Sequence, residues 1–191
     1  MPPMLILASE SPRRRALLTK LGIPFEIKSA QVTELEQTDA VCSVSLLPQM
    51  NAELKARAVS LLHPEDIVIG ADTAIIFEDQ MIGKPRDLDD ARRILRELSG
   101  KTHQVITGIA VLRGGAKPLQ HVWSEVSDVS FKNLSSETIE EYIRLVHVLD
   151  KAGAYAIQEH GDMIISACSG DMDNIIGLPL PRLSQLLEQE I

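Results

Sequence analysis

The sequence predicts an α/β fold, a mixed twisted β-sheet flanked by helices. Short apolar runs of strand length, at residues 4–7 and 67–71, alternate with stretches whose apolar residues recur at helical spacing. Two longer extended stretches, 105–112 and 122–131, flank the turn pair Gly114-Gly115, so a hairpin interrupts any purely parallel order. The 191 residues are 45% hydrophobic, enough for one sizeable core, and only 3% aromatic, so that core is aliphatic.

Each element has a local reason. The run 4–7 reads as a buried strand. Ser11 can cap a helix and Pro12 suits its first position, so a helix is expected over 12–21, stopped by Gly22. Residues 24–27 form a second strand, and 30–38 are polar and irregular, carrying Glu34 and Glu36. Helical spacing of Leu54, Ala58, Leu61 and Leu62 predicts a helix over 50–62 with those residues inward, and Pro48 at or before its start. The continuous run 67–71 is a central strand with Asp72 and Thr73 at its end, and 74–77 continue extended to a turn at 78–80. Gly83-Lys84-Pro85-Arg86 is a loop, after which Asp87 caps a helix that buries Ala91, Ile94, Leu95 and Leu98 and ends at Gly100. After the hairpin, a helix starts at Ser135 or Ser136 with Ile139, Tyr142, Ile143 and Val146 inward. Residues 150–158 show no clean period, 163–167 read as a strand, and Pro181 opens a last helix.

Composition excludes some functions. The net charge of −8 argues against a duplex-binding face, and the scarcity of aromatics against a single-strand binder. Cys42 and Cys168 fit no metal-ligand spacing and are expected as reduced, partly buried thiols. No stretch reads as a signal peptide or membrane span, so a cytoplasmic location is expected. Walker loop, dinucleotide fingerprint, Gly-x-Ser-x-Gly elbow and His-Glu-x-x-His are all missing from the sequence.

The chemistry-bearing segments are few. Ala8-Ser9-Glu10-Ser11-Pro12-Arg13-Arg14-Arg15 runs from a strand through a serine turn into a helix that opens on three arginines. Helix N–H groups and guanidinium forks meeting there suit a polyphosphate; the alternative is a solvated basic helix face. Asp72 needs cationic or hydrogen-bonding partners if it is buried, or else caps a turn. Lys84 lies between Gly83 and Pro85, where the backbone can approach a ligand, and Lys55 reads by itself as a solvated helix lysine. Lys151-Ala152-Gly153-Ala154-Tyr155-Ala156-Ile157-Gln158 packs small residues around one lysine, one tyrosine and one amide, and Gln158 could read a base edge.

Together these motifs resemble the Maf family of nucleoside triphosphate pyrophosphatases. The resemblance is carried by Leu5-Ile6-Leu7-Ala8-Ser9-x-Ser11-Pro12-Arg13-Arg14, Ile69-Gly70-Ala71-Asp72-Thr73 and Gly83-Lys84-Pro85. It continues through Leu98-Ser99-Gly100-Lys101-Thr102-His103, Val105-Ile106-Thr107-Gly108, Asp150-Lys151-Ala152-Gly153-Ala154-Tyr155 and Gly177-Leu178-Pro179-Leu180. The motifs stand in family order over nearly the whole chain. The resemblance implies one Maf-like domain over 1–191, with an inosine triphosphate pyrophosphatase-like fold whose two lobes surround a deep cleft. It implies cleavage of a nucleoside triphosphate between its α- and β-phosphates, with Mg²⁺ or Mn²⁺ as cofactor, a homodimer, and a link to septum formation.

Carried over residue by residue, Asp72 falls on the catalytic aspartate, which also holds metal with Glu34. Ser9, Arg13 and Arg14 fall on the phosphate-binding loop, and Lys55 and Lys84 on lysines facing the triphosphate. Arg13, Thr73 and Gln158 fall on positions that choose the substrate. The segment 150–158 resembles the branch acting on dTTP and UTP; the alternatives are the 7-methyl-GTP branch and a nucleotide-binding regulator of division without catalysis. The chain departs from the family pattern at Glu159, where glycine is usual, at His147-Val148-Leu149, and at Ser169-Gly170-Asp171-Met172-Asp173-Asn174.

Overall fold

A computed structural model describes residues 3–36 and 43–190. Cys42 lies outside the described residues. In chain order the elements are β1 (Leu5–Leu7), α1 (Pro12–Thr19), β2 (Phe25–Ile27), α2 (Leu47–Ser60), β3 (Ile67–Phe77), β4 (Gln80–Ile82) and α3 (Leu88–Leu98). Then follow β5 (Thr102–Arg113), β6 (Leu119–Phe131), α4 (Ser136–Leu145), α5 (Gly161–Ile164), β7 (Ile165–Ser169), α6 (Met172–Ile176) and α7 (Leu180–Glu190). The seven strands form one mixed sheet in the order β2-β1-β3-β5-β6-β7, with β4 also paired to β3. Strand β1 runs parallel to β2 and β3; the other pairs are antiparallel, and β5 and β6 make the expected hairpin.

Local chemistry sets the helix starts. Ser11 Oγ accepts from the Arg14 backbone N–H at 3.5 Å, with Pro12 in the first turn of α1. Asp87 caps α3 by accepting from the Asp90 N–H at 2.8 Å, and Ser135 caps α4 by accepting from that of Thr138 at 3.2 Å. The β3–β4 hairpin turns through Glu78 and Asp79, both with positive φ (50° and 60°), as a two-residue loop of this hand demands.

Alternate residues of β3 face opposite sides of the sheet. On one side Ile67, Ile69 and Ala71 pack with Leu17 and Leu18 of α1 and with Leu183 and Leu187 of α7. Further along the same side, Ile75 and Phe77 join a second cluster with α3 and α4. Thr73 falls between these two apolar clusters, opposite Thr107 of β5. On the other side Val68 packs under Ala52, Ala56 and Val59 of α2.

The approach of α2 depends on two glycines. A Cβ on Gly70 would lie 2.1 Å from the Ala52 carbonyl oxygen, and one on Gly108 2.3 Å from the backbone of Pro48 and Gln49. Only glycine lets the helix backbone settle this closely on β3 and β5.

Several sequence expectations need correction. The inner face of α2 carries Asn51, Ala52, Lys55, Ala56 and Val59, while Leu54, Leu61 and Leu62 are exposed. The tight crossing selects small residues, so the large leucines turn outward. Asp72 stands in the middle of β3, not at a strand end. Residues 161–164 are a helical turn before β7 starts at Ile165, and α6 was not foreseen because its five residues are too few for a period. Cys168 is exposed on the β7 edge strand. Among the described residues no helix is long and apolar enough to cross a membrane.

Candidate active site

The site lies where one edge of β3 loses its partners. That edge pairs with β1 as far as Ile69 and with β4 only from Ile75 onward. Between these points Asp72 and Thr73, from opposite faces of the sheet, reach the same opening. The first turn of α1, which follows the loop leaving β1, brings Arg13 and Arg14, and the loop leaving β4 brings Lys84. They line a cavity of about 320 Å³ together with Glu34, Lys55 and Gln158. Its apolar wall includes Ile75, Val105, Tyr155, Ile157 and Ile176.

Lys55 is the electrostatic centre. Its Nζ lies 2.8 Å from Asp72 Oδ1 and 2.8 Å from Glu34 Oε1. The lysine is buried, which removes the alternative of a solvated helix lysine: the close crossing of α2 over Gly70 turns it inward, to the cavity. A buried ammonium needs such partners, because stripping its water without replacing the hydrogen bonds would cost several kcal/mol. Asn51, one turn earlier on α2, holds the second acid in place. Its amide accepts from the Leu35 N–H at 2.7 Å, donates to the Leu35 carbonyl at 3.1 Å, and donates to Asp72 Oδ2 at 3.4 Å. Glu34 is thereby brought beside Asp72 although its segment has no regular structure. Sequence reading missed Asn51; its place four residues before Lys55, on the same helix face, was the available signal.

The basic motif divides its labour. Arg13 is exposed and lines the cavity. Arg14 also lines it but spends three donors on the protein: Nε to the Gly177 carbonyl at 3.0 Å, Nη1 to Ser9 Oγ at 3.2 Å and Nη2 to Thr73 Oγ1 at 3.1 Å. Burial pulls the Arg14 guanidinium below its ordinary pKa; Asp72 and Glu34 oppose this, and Arg13 adds to it. Ser9 serves Arg14 and the Ser11 N–H and is not among the cavity-lining residues. Arg15 lies apart, beside Thr19 and Ile27, so the three arginines do not converge.

The far wall is built from the 151–158 segment. Gly153 and Ala154 both have positive φ (67° and 60°), and the Gly153 N–H donates to the Gly83 carbonyl at 3.0 Å, which ties this turn to the Lys84 loop. The hydroxyl of Tyr155 shares a 2.7 Å hydrogen bond with His103 Nε2. Burial drives the His103 imidazole down to about 4, so it is neutral at pH 7. Lys151 is buried, donating to the His147 carbonyl at 2.7 Å and pairing with Asp150 at 2.8 Å and Glu159 at 3.3 Å. The Lys151–Glu159 pair thus anchors the backbone next to Gln158, which is exposed at the cavity edge.

Among the described residues no three His, Cys, Asp or Glu side chains cluster as a ready-made metal cage. What the cavity offers is a pair of carboxylates meeting at one cation position, ringed by cations and closed on one side by an apolar wall. That arrangement suits an anion with a metal partner and an organic tail.

Known proteins resemble this chain over nearly its whole length. The chain is 48% identical over 190 residues to a protein of Akkermansia muciniphila named dTTP/UTP pyrophosphatase, covering 97% of this chain and 95% of that one. A protein of the same name from Symbiobacterium thermophilum is 43% identical over 185 residues, covering 97% and 93%. The solved structure of the Staphylococcus aureus Ham1 protein shares the fold, with a TM-score of 0.56 at 14% identity over 98% of this chain and 100% of that one. The family described as Maf-like protein matches residues 4–190, and with relatives this similar over nearly their whole length the chain belongs to the Maf family.

Proposed function

We propose that this protein hydrolyses nucleoside triphosphates, dTTP and UTP first among them, to the monophosphate and pyrophosphate. The observation that carries the reading is the Lys55 ammonium held between Asp72 and Glu34, at 2.8 Å from each, in a cavity that also receives Arg13, Arg14 and Lys84. The names of the relatives support the choice of substrate. On this reading residues 1–191 form one Maf-like domain, and the cavity is the cleft between its two lobes. The enzyme works in the cytoplasm, as a homodimer and without nucleic-acid or membrane partners, and its activity is linked to the arrest of septum formation.

The net reaction adds water across the bond between the α-phosphorus and the bridging oxygen to the β-phosphorus. Arg13, Lys55 and Lys84 bind the phosphates and offset the charge that gathers on the departing pyrophosphate. Asp72 orients the attacking water and accepts its proton at a carboxylate oxygen. Asn51, holding Asp72 Oδ2, keeps that carboxylate aimed, and the apolar wall limits access of other water. Gln158 and Thr73 contact the nucleoside half.

A hard divalent cation, Mg²⁺ or Mn²⁺, fits the donor set. Glu34 and Asp72 are oxygen donors that already converge on one positive charge, and such ions take one or two carboxylates and fill the rest of their shell with phosphate and water. Glu34 and Asp72 would hold it; when bound, it supplies charge neutralisation and a more acidic water.

Purified protein with Mg²⁺ and UTP or dTTP should release pyrophosphate. Asp72→Asn should lower turnover by roughly 10²–10⁴-fold, the usual worth of a general base. Release of orthophosphate alone, or an undiminished Asp72→Asn variant, would overturn this mechanism.

A further inference from the structure

Behind the cavity runs a chain of hydrogen bonds with only one possible direction. Arg14 Nη2 donates to Thr73 Oγ1 at 3.1 Å. Thr73 Oγ1 lies 2.9 Å from Thr107 Oγ1, across the β3–β5 register. Thr107 Oγ1 in turn lies 3.0 Å from the Asn174 carbonyl oxygen. Thr107 and Asn174 are fully buried, at 0% exposure. Asn174 is fastened there by its own amide, which donates to the Val105 carbonyl at 3.1 Å and to Ser127 Oγ at 2.8 Å.

The direction follows from counting protons. A hydroxyl has a single proton. The end of α6 leaves the Asn174 carbonyl without a helical partner, since the Gly177 and Leu178 N–H groups both bond to the Asp173 carbonyl. A buried carbonyl must be paired, so Thr107 gives its proton there. Thr107 can then only accept from Thr73, and Thr73 can only accept from Arg14. The Thr73 proton is spent inside the protein, and what remains on its oxygen is a lone pair.

We propose that Thr107 is a specificity-determining positioning residue. By accepting the hydrogen bond of the Thr73 hydroxyl, it makes Thr73 an acceptor-only contact for a hydrogen-bond donor on the nucleoside half of the substrate. Phosphoryl oxygens accept and do not donate, so Thr73 turns them away and leaves them to Arg13, Lys55 and Lys84. A neutral pyrimidine ring N–H, as in uracil or thymine, and a sugar hydroxyl are both donors; the cytosine ring nitrogen at the same place is an acceptor. The inference rests on the hydrolytic activity proposed above.

The test compares kcat/KM of the full-length protein with Mg²⁺ for UTP, CTP and 3′-deoxyuridine triphosphate. The variants are Thr107→Val, Thr73→Val and the double variant, with Thr107→Ser as the conservative rescue. Thr107→Val frees the Thr73 proton to swing toward an acceptor. One preference should then fall about tenfold, the scale of one well-placed hydrogen bond. If the UTP-over-CTP ratio falls, with turnover of CTP rising in absolute terms, the donor is the ring N–H. If the ratio of UTP to the 3′-deoxy substrate falls, the donor is the sugar hydroxyl. Thr107→Ser should keep the parent ratios, and adding Thr107→Val to Thr73→Val should change neither ratio further. A purely structural role for Thr107 would lower the melting temperature and all rates together and could not raise CTP turnover. Should Thr107→Val fail to fold, Thr107→Ala removes the same hydroxyl without adding bulk. Unchanged ratios in an active Thr107 variant, or a Thr107 effect that persists without the Thr73 hydroxyl, refute this inference alone. A parent protein that leaves UTP intact refutes the activity and this inference with it.

Discussion

Gly70→Ala should damage both stability and turnover, although position 70 touches no substrate. The new Cβ would sit 2.1 Å from the Ala52 carbonyl oxygen and 2.8 Å from Ala56 Cβ. Ordinary carbon–oxygen contacts need about 3.3 Å, so α2 must retreat from β3 by roughly 1 Å. The obstacle is helix backbone, which cannot step aside as a side-chain tip would. Overpacking of this kind costs about 3 kcal/mol, at the upper end of its usual range. For a protein of this size that lowers the melting temperature by roughly 6–12 °C. The same retreat draws Lys55 and Asn51 away from Asp72, and a misplacement of about 1 Å at a reacting centre can cost 10²-fold in rate. Thermal unfolding and pyrophosphate release, measured on one preparation below its melting point, read the two effects separately. A variant that melts within 2 °C of the parent and turns over within a factor of ~2 would refute the argument that Gly70 sets the helix approach and thereby the site.

Two further outcomes follow from the same contacts. Asn51→Ala should free the segment carrying Glu34: amide exchange over 30–36 should quicken by about tenfold or more, with a stability loss of about 1–2 kcal/mol, while unchanged exchange would show that other contacts hold Glu34 there. His103, held near 4 against about 6.5 when unfolded, binds its proton more readily in the unfolded chain. Its neutral form therefore contributes stability that is fully present above pH 6.5 and is lost as the pH falls toward 4. By linkage this is about 2–3 kcal/mol lost between pH 7 and 4.5, seen by urea unfolding, and His103→Gln should remove most of that slope. A slope identical in the variant would place the acid sensitivity elsewhere.

Much of the fold was legible in local signals. Asp87 and Gly100 bracket α3, Ser135 opens α4, and Gly114-Gly115 joins the two long strands, because capping and turn chemistry depend on a few adjacent residues. The residues that meet in the cavity were also named, since Ser11-Pro12-Arg13-Arg14, Asp72-Thr73 and Gly83-Lys84-Pro85 form recognisable groups. The inner face of α2 was misread because hydrophobic periodicity weighs leucine heavily and alanine hardly at all. Where Gly70 and Gly108 draw a helix backbone onto the sheet, alanine is what fits and leucine is what is expelled. Asn174 escaped notice for a related reason: its α6 is one short turn, held by contacts to Val105 and Ser127 far away in the chain.

The succession of the longer strands and helices, the cap of each clear helix and the inventory of charged groups were decided by the amino-acid sequence alone, since each depends on neighbours along the chain. Which charges pair was decided only in three dimensions. Lys55 finds Asp72 and Glu34, Asn51 fastens Leu35, and the hydroxyls of Thr73 and Thr107 meet across the sheet. These pairings depend on strand register, on the gap between β1 and β4 along β3, and on how closely α2 crosses the sheet. Such distances arise from packing between segments remote in sequence, and no local pattern encodes them.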